Sequence, residues 1–554
     1  MRADICIVGS GPSGQAVAQA LSGSGAAVLM VDAGDVEADR WSRRFASAAM
    51  PSIGRHYPNA GDQASIRLGG TSDRWAIRLD PGADTGSGVR LHRLDPVDFK
   101  RRPTAGADGW PIGIADLEPY YRRAEARLGI PETGDPIAPI SSDQRLETSL
   151  FWAVERNSFL SPDPASARIV SRCAIMSLIA DRTGRITGAE AVTRNGETVR
   201  VSADVFVLAM GTVQTTRLLL DSPWTEAPSI ANSSGLLGHY LTDHPQLVLG
   251  QLLLDVDADL GALAPLAPSV FAPGVLRWPN LISAARRSLI SDWARVAVTL
   301  LPVQHVPKGL AVLNRLPRPT GARTGALKAA GELADRTRHG SLDPSFLRRL
   351  ATVAGGADEV VASMLSGRLP GRQWSIENPH WAHLVEGGHR PAGFQIFAVA
   401  EQLPNPENRI VLSEERNALG GRRARVAWRW SAEDRRRVEL SSDDVRQVLA
   451  GLHIGRVVPR RGRAAVHKIN SHHPAGTARM SAKPTDGVVD PNLRAHDHPN
   501  LFIVGSAVFN TAGFANPTLT DVALGLRLGD HLAERSQPGD GDGRQCEPAR
   551  QPTA

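Results

Sequence analysis

An α/β fold, α+β in its overall balance, is predicted for this 554-residue chain by three short apolar runs that each lead into a glycine. They are Ala3-Asp4-Ile5-Cys6-Ile7-Val8 before Gly9, Val205-Phe206-Val207-Leu208-Ala209-Met210 before Gly211, and Leu501-Phe502-Ile503-Val504 before Gly505. A continuous apolar run bounded by a turn residue reads as a buried strand. The three are spread over the whole sequence, so one Rossmann-like nucleotide-binding domain must be assembled from distant segments.

Taken in order, the first run passes into Gly9-Ser10-Gly11-Pro12-Ser13-Gly14 and then into the small helix formers Gln15 to Leu21. Ala27-Val28-Leu29-Met30-Val31 follows as a second strand and ends in Asp32. That is a βαβ unit, the opening of a doubly wound sheet. Between Ile175 and Val201, apolar positions are punctuated by Asp-Arg-Thr-Gly and Arg-Asn-Gly, which predicts a small antiparallel meander. The second glycine-ended run leads into Thr215–Leu220, which reads as a helix. The middle, roughly Leu247 to Gly393, holds strand-like Leu247-Val248-Leu249 and Leu252-Leu253-Leu254, then proline-rich loops. Helices are expected around Leu281–Leu300 and Pro344–Leu365. From about Ser536 the sequence is rich in Gly, Pro, Asp and Gln and reads as a disordered tail. No internal repeat is found.

The length exceeds one compact core and fits two intimately connected domains. An apolar share of 42% with 22% charged residues is ordinary for a globular protein. No stretch approaches the roughly 18 to 20 apolar residues that span a bilayer. The first buried strand begins within a few residues of Met1, leaving no room for a secretory leader, so a cytoplasmic location is expected. Cys6, Cys173 and Cys546 lie far apart without metal-ligand spacing, so neither a disulfide framework nor a metal site is expected. Cys6, inside the opening strand, reads as a small core residue. The net charge of +6 comes from scattered arginines, densest at Arg435-Arg436-Arg437 and at Arg460-Arg461 with Arg456 and Arg463 nearby. Aromatic residues total 5%, and no basic helix carries interleaved stacking residues, so nucleic acid is not an expected partner.

The GxGxxG after the first strand has the right context, because it opens a helix and Asp32 follows about twenty residues on. Gly9 permits the tight turn, Gly11 lets amides approach a pyrophosphate, and Gly14 allows close helix–strand packing. Pro12 and Ser13 begin a helix whose N-terminus favours phosphate, and Asp32 is placed to accept from a ribose. This much suits NAD and FAD equally. Leu68-Gly69-Gly70-Thr71-Ser72-Asp73-Arg74-Trp75 favours FAD, since paired glycines followed by small hydroxyl residues suit a backbone lying against a flat, extended cofactor. Trp75 either packs on that cofactor or fills the core.

Near the other end, His472-His473-Pro474-Ala475-Gly476-Thr477-Ala478-Arg479-Met480 is followed by Gly513-Phe514-Ala515-Asn516-Pro517-Thr518. A neutral imidazole can take an alcohol's proton, and a carboxamide can donate to its oxygen. The alcohol lies about nine pKa units above imidazole, so complete transfer would cost on the order of 12 kcal/mol. One preorganised donor to the nascent alkoxide contributes roughly 3 to 4 kcal/mol, so either further groups stabilise the alkoxide or hydride leaves as the proton moves. His473 is therefore the expected general base and Asn516 its oxygen-binding partner. His472 is expected to point away and act structurally, and Asp243 and His244 to tie a loop to the nucleotide domain.

These segments resemble the glucose–methanol–choline (GMC) flavin oxidoreductases. The likeness is carried by the N-terminal glycine motif, LGGTSDRW at 68–75, VFVLAMGTVQTTRLLLDS at 205–222 and LGHYLTDHP at 237–245. It continues in EQLPNPENRIVL at 401–412, HPAGTARM at 473–480 and the stretch 500–532. The resemblance implies an FAD-binding domain from residues 1–90, 166–246 and 485–535, and substrate or cap elements in 91–165. It implies a substrate domain in 247–484, built on a six-stranded antiparallel sheet plus helices and carrying the catalytic histidine, with a tail at 536–554. His473 falls on the family's active-site histidine and Asn516 on its second position. Cofactor contacts are expected from Gly9, Gly11, Pro12, Ser13, Gly14, Asp32, Gly69, Gly70, Thr71, Ser72 and Trp75. Ile175, Ala209 and Gly211 from the middle join them, as do Gly505, Ser506, Asn516, Pro517 and Thr518. Asp32 stands where glutamate is commoner. Arg74 lies at or beside a position where some sugar-oxidising relatives carry a histidine bonded to the flavin, so non-covalent FAD is expected. GFANPTLT and EQLPNPENR look closest to the branch acting on sugars, glycosides and polyols. The implied reaction is CH–OH oxidation with hydride passing to the flavin, leaving the electron acceptor open between oxygen and others. A lyase on the same fold, a flavin subunit of a multi-component dehydrogenase, and an NAD dehydrogenase are the alternatives.

Overall fold

The computed structural model describes residues 1–37, 52–53, 57, 65–81, 86–103, 107–132, 137–155, 159, 162–255, 257–290, 293–303, 377–384, 391–460, 466–468 and 471–536. The three glycine-ended runs become neighbours. β1 (Arg2–Val8) lies between β2 (Val28–Val31) and β9 (Thr198–Leu208), parallel to both. β19 (Leu501–Ile503) runs parallel beside β9, and β6 (Arg168–Val170) extends the sheet beyond β2. Cys6, Ile7, Phe206, Val207 and Ile503 are all buried, as their uninterrupted apolar sequence demands. β9 is long enough to serve two partners. Its first half closes the antiparallel meander with β7 (Cys173–Ala180) and β8 (Ile186–Thr193), and its second half pairs with β1 and β19.

α1 (Pro12–Ala20) follows β1, and α2 (Ile114–Leu128) and α3 (Gly211–Asp221) flank the same core. α5 (Thr518–Ser536) packs directly on α1. The close approach needs glycine, because a Cβ on Gly525 would stand 2.7 Å from the Ala16 methyl, and one on Gly529 2.5 Å from that of Ala20.

A second, antiparallel sheet has nine strands. Its main path runs β17 (Gly455–Pro459), β10 (Gln246–Leu254), β14 (Gly393–Ala400), β13 (Val296–Val303), β12 (Val275–Ser283), β5 (Leu146–Glu155) and β4 (Gly88–Leu91). β11 (Ser269–Ala272) and β18 (Val466–Lys468) pair at its margins. One face packs under α4 (Ala432–Ala450), burying Leu247, Leu249, Val296, Val298, Phe394 and Ile396 against Val438, Val445 and Leu449. α4 begins at a capping box in which Ser431 and Asp434 satisfy one another's backbone N–H groups. A third small sheet joins β15 (Arg409–Arg416), β16 (Arg422–Ala427) and β3 (Ser52–Ile53).

Two expectations are corrected. Leu281–Leu300 is not helical overall: it holds the end of β12, a short helix Ala285–Ile290, and most of β13. Val296 to Pro302 is apolar save for Thr299 and buried throughout, and such a run does not distinguish a buried strand from a helix by periodicity alone. The antiparallel sheet also exceeds the six strands implied by the resemblance, because short strands such as β11 and β18 extend it at the edges. Leu247–Leu254 forms one strand, with a register shift between Val248 and Gly250. The helix expected at Pro344–Leu365, the tail beyond Ser536, Arg461, Arg463 and Cys546 lie outside the described residues; Ser536 itself ends α5.

Candidate active site

The glycine turn after β1 is shaped by what lies beneath it. A Cβ on Gly14 would fall 2.2 Å from the Gly9 carbonyl oxygen, so α1 can start here only with glycine. A Cβ on Gly11 would meet nothing within 4 Å, so its surroundings are open on the side where a phosphate would approach. Pro12 is the first residue of α1 and Ser13 is buried in its first turn. Ala209 packs under the same turn, its N–H donating to the Val8 carbonyl. Gly211 starts α3, and Gly505 stands beside the Ser13 hydroxyl.

Asp32 organises this end. Its Oδ2 accepts from the Ser10 N–H at 2.8 Å and the Ser10 hydroxyl at 2.7 Å, and its Oδ1 accepts from the Gly34 N–H at 2.7 Å. A carboxylate has about four acceptor positions, so three protein donors leave room for a ribose hydroxyl. Burial pushes the Asp32 carboxyl above its usual range, against the pull of those donors. The Ser10 hydroxyl also accepts from the Gly69 N–H at 3.1 Å, bringing the second glycine loop against the first. Gly70 lies over the Gly11 Cα, and Ser72 donates to the Gly69 carbonyl at 2.8 Å. Thr71 is exposed, whereas Trp75 is half-buried with its ring 6.1 Å from that of Phe159. Ile175, on β7, is buried in the core two residues beyond Cys173, whose N–H donates to the Asp32 carbonyl.

The His473 segment threads between two backbones. Ala475 exchanges both backbone hydrogen bonds with Thr242, while the N–H groups of Gly476, Ala478 and Met480 donate to Ser506, Ala507 and Val508. Ser506 donates to the Pro474 carbonyl at 3.1 Å, as does Thr212 of α3 at 2.6 Å. His472 is exposed with φ 62°, so the backbone is left-handed there rather than extended.

Asp243 is the anchor. It is fully buried, and its Oδ1 accepts backbone N–H bonds from His244 (2.6 Å), Ser471 (2.9 Å) and His473 (3.2 Å). Its Oδ2 accepts from the Tyr57 hydroxyl at 2.5 Å. Burial raises its pKa to about 6 against these donors. The adjacent His244, also fully buried, joins Nδ1 to Nδ1 of His473 at 3.1 Å. Burial lowers the His244 pKa to about 4. His473 is pushed well below the ordinary imidazole range, first by burial and then by His244, Arg90 and His472. Both rings are therefore neutral near neutral pH, and one hydrogen is shared between their Nδ1 atoms.

The loop bearing Asn516 is fixed from the other side. Thr511 accepts from the Trp110 indole and donates to the Asp98 carbonyl, while Gly513 lies so close to the Asp98 carboxylate that a Cβ would stand 2.8 Å from it. Arg295 bonds Asp98 at 2.7 Å and stands 4.5 Å above the Phe514 ring. The backbone of Ala512 and Gly513 acts electrostatically on the His244 ring. His244 thus touches His473 and faces the loop that leads to Asn516. Asn516 and Pro517 are half-buried at the entrance to α5, whose first residue is Thr518.

Sequence reasoning placed Asp243 and His244 as loop ties only. The signal that could have raised them is an Asp-His pair immediately before a strand. No described group of His, Cys, Asp or Glu has metal-holding geometry, and no described helix is long and apolar enough to cross a membrane. Cys6 is a core residue, its thiol raised to about 12 by burial.

Comparison with known proteins finds two family models described as GMC oxidoreductase, an N-terminal one over residues 147–246 and a C-terminal one over 404–525. The fructose dehydrogenase large subunit of Gluconobacter japonicus is 23% identical over 96% of this chain and 98% of its own. Paromamine 6'-oxidase of Streptomyces fradiae is 23% identical over 96% and 91% respectively. The 2-methyl-1,2-propanediol dehydrogenase of Mycolicibacterium austroafricanum is 22% identical over 96% and 95%. Pyridoxine 4-oxidase from Mesorbium loti superposes with a TM-score of 0.50 at 16% identity, covering 96% of this chain and 99% of that one, a likeness of fold.

Proposed function

This chain belongs to the GMC oxidoreductase family, with FAD as cofactor and CH–OH oxidation as reaction, and from that premise we propose a sugar, glycoside or cyclitol as its substrate. Support for the substrate class comes from relatives named for fructose and paromamine that align over nearly the whole chain. Their names as dehydrogenase and oxidase favour the oxidoreductase over the lyase. Residues 1–90, 166–246 and 485–535 are proposed to hold the cofactor, and 247–484 to carry the substrate side.

The open space at Gly11, the N-terminus of α1 and the free acceptor capacity of Asp32 fit a dinucleotide. When bound, FAD supplies the hydride acceptor. The protein's part is proton handling and orientation. The single observation that carries it is the Nδ1–Nδ1 contact between His244 and His473. A base needs a bare nitrogen. With Nδ1 of His473 donating to His244, Nε2 of His473 keeps its lone pair and can take the substrate proton. In that tautomer Nε2 of His244 carries hydrogen; this buried atom has no hydrogen-bond acceptor among the described residues, although the backbone of Ala512 and Gly513 lies near enough to raise the ring's pKa. The depressed His473 pKa widens the mismatch with an alcohol, so proton removal must be concerted with hydride loss. Asn516 is proposed to donate to the developing alkoxide.

The test is a panel of sugars, glycosides and cyclitols mixed anaerobically with the yellow holoenzyme. Bleaching by at least one of them is expected, and a flavin that no member reduces would remove the substrate class. A second reading, a flavin subunit that passes electrons to a partner, is favoured by the relative whose name is "large subunit". Turnover with soluble dyes but not with oxygen would support it. Cytoplasmic residence is proposed on the two free, buried thiols of Cys6 and Cys173, and is checked by cell fractionation.

A further inference from the structure

Among the described arginines buried near the candidate site, Arg102 binds Glu401 through two hydrogen bonds, Arg295 binds Asp95 and Asp98, and Arg479 lies 3.4 Å from Asp108. Arg90, on β4, is 4% exposed, and its Nη1 is buried without an acceptor among the described residues. No ion pair of Arg90 occurs among them either. Its contacts are aromatic: the guanidinium carbon stands 5.0 Å from the Phe151 ring centre and 5.4 Å from that of Trp278. The strand register puts these groups on one face. Arg90 pairs with Ala153, and Phe151, two residues along β5, pairs with Trp278 of β12. The Trp278 side chain is fully buried, and its Nε1 likewise has no acceptor. This face meets the candidate site, since Phe151 and His92 both approach the Phe514 ring, at 6.0 and 5.7 Å.

We propose that Arg90 and Trp278 form a seat for a carboxylate, and that the substrate is a hydroxy compound bearing an acidic group, such as a sugar acid. The inference rests on the oxidoreductase reading and narrows it. A desolvated guanidinium without a counter-charge is unfavourable, and burial lowers the Arg90 pKa to about 10, which still leaves it charged at neutral pH. Its planar fork matches a carboxylate, and the Trp278 ring that the guanidinium lies over carries an N–H donor without an acceptor among the described residues. The charge also acts on the base. Arg90 is among the groups that lower the His473 pKa, so an anion bound to it would raise the proton affinity of His473 as the substrate arrives. A neutral polyol would leave the cation uncompensated.

The test uses matched pairs on the holoenzyme: methyl glucuronide against methyl glucoside, and gluconate against sorbitol, scored by anaerobic flavin reduction. At least one acidic member is expected to half-saturate at a concentration roughly ten-fold or more below its neutral partner, the size of a charged hydrogen bond. In Arg90→Gln that advantage, read as the ratio between the two members of each pair, should fall to about two-fold or less. Arg90→Lys, which keeps charge without the fork, should retain part of it, and serves if the Gln variant folds poorly. Glutarate, which has no hydroxyl to oxidise, should perturb the flavin spectrum of the parent protein and not of Arg90→Gln. No preference for either acid in the parent, or a preference that survives in Arg90→Gln, overturns the seat. Equal loss for both members of a pair would assign Arg90 to the flavin or the alkoxide and would also overturn it. The two readings fail separately. Glutarate binding without any alcohol oxidised keeps the seat and removes the reaction, whereas neutral alcohols oxidised without acid preference do the reverse.

Discussion

Replacing Asp243 separates the anchoring of the His473 segment from its charge. The carboxylate Oδ1 gathers three backbone N–H groups, from His244, Ser471 and His473, and Oδ2 takes the Tyr57 hydroxyl. Asp243→Ala leaves those four donors without an acceptor at a buried position, at about 1 kcal/mol each, so a loss of roughly 4 kcal/mol is expected. Asp243→Asn can turn its carbonyl to the three N–H groups and let the Tyr57 hydroxyl accept from its NH₂, so at neutral pH it should lose roughly 1 kcal/mol or less. The acid range differs. His244, lowered to about 4, is neutral in the folded protein, so its stability contribution is present above the unfolded value of 6.5 and is lost as pH falls toward 4. Asp243, raised from 3.8 to about 6, runs the other way and gains as pH falls through that interval. Each is worth on the order of 3 kcal/mol, so the parent should show little net dependence from this pair. Asp243→Asn removes the offset and should become acid-sensitive between pH 6.5 and 4. Urea midpoints of the holoenzyme at a series of pH values, followed by flavin fluorescence, measure all three proteins. If the Asn variant is as unstable as the Ala variant at neutral pH, or stays insensitive to acid, the anchoring scheme is wrong.

His473→Ala should keep FAD bound but slow its reduction by roughly 100-fold or more; near-parental reduction by stopped flow would remove His473 from the chemistry. The reduction rate should stay level through neutral pH and fall only in acid below the ordinary imidazole range, because protonation silences a base whose pKa is depressed. An acid limb centred at or above about 6.5 would contradict that environment. Gly11→Ala, whose new methyl meets no protein atom, should leave the stability of the FAD-free protein unchanged while weakening FAD binding, read by titration. Gly14→Ala, 2.2 Å from the Gly9 carbonyl, should destabilise even without the cofactor by roughly 1 to 3 kcal/mol, read by thermal unfolding.

The nucleotide half was legible because its signals are local. A buried parallel strand must be apolar on both faces, and a turn against a phosphate must be glycine, so Ile5–Gly14 and Val205–Gly211 announce themselves. The middle was not. Val296–Val303 could have been helix or strand until its partners Gly393–Ala400 and Val275–Ser283, distant in sequence, were known. The same limit hid half of the site. His473 stood out within its segment, but Asp243, His244 and Arg90 matter through neighbours that include residues far off in the sequence, such as His473 and Trp278. An arginine in Gly-Val-Arg-Leu is unremarkable until its strand is paired and its guanidinium is found without a counter-charge among the described residues.

The packing of α5 on α1 has a consequence for biogenesis. Helices 12–20 and 518–536 meet through Gly525 and Gly529 against Ala16 and Ala20, with some five hundred residues of chain between them. During translation the emerging phosphate cradle has to wait for its covering helix until nearly all the polypeptide has left the ribosome. A nascent protein stalled before residue 518 would offer chaperones a strand-and-helix unit with its outer flank still bare.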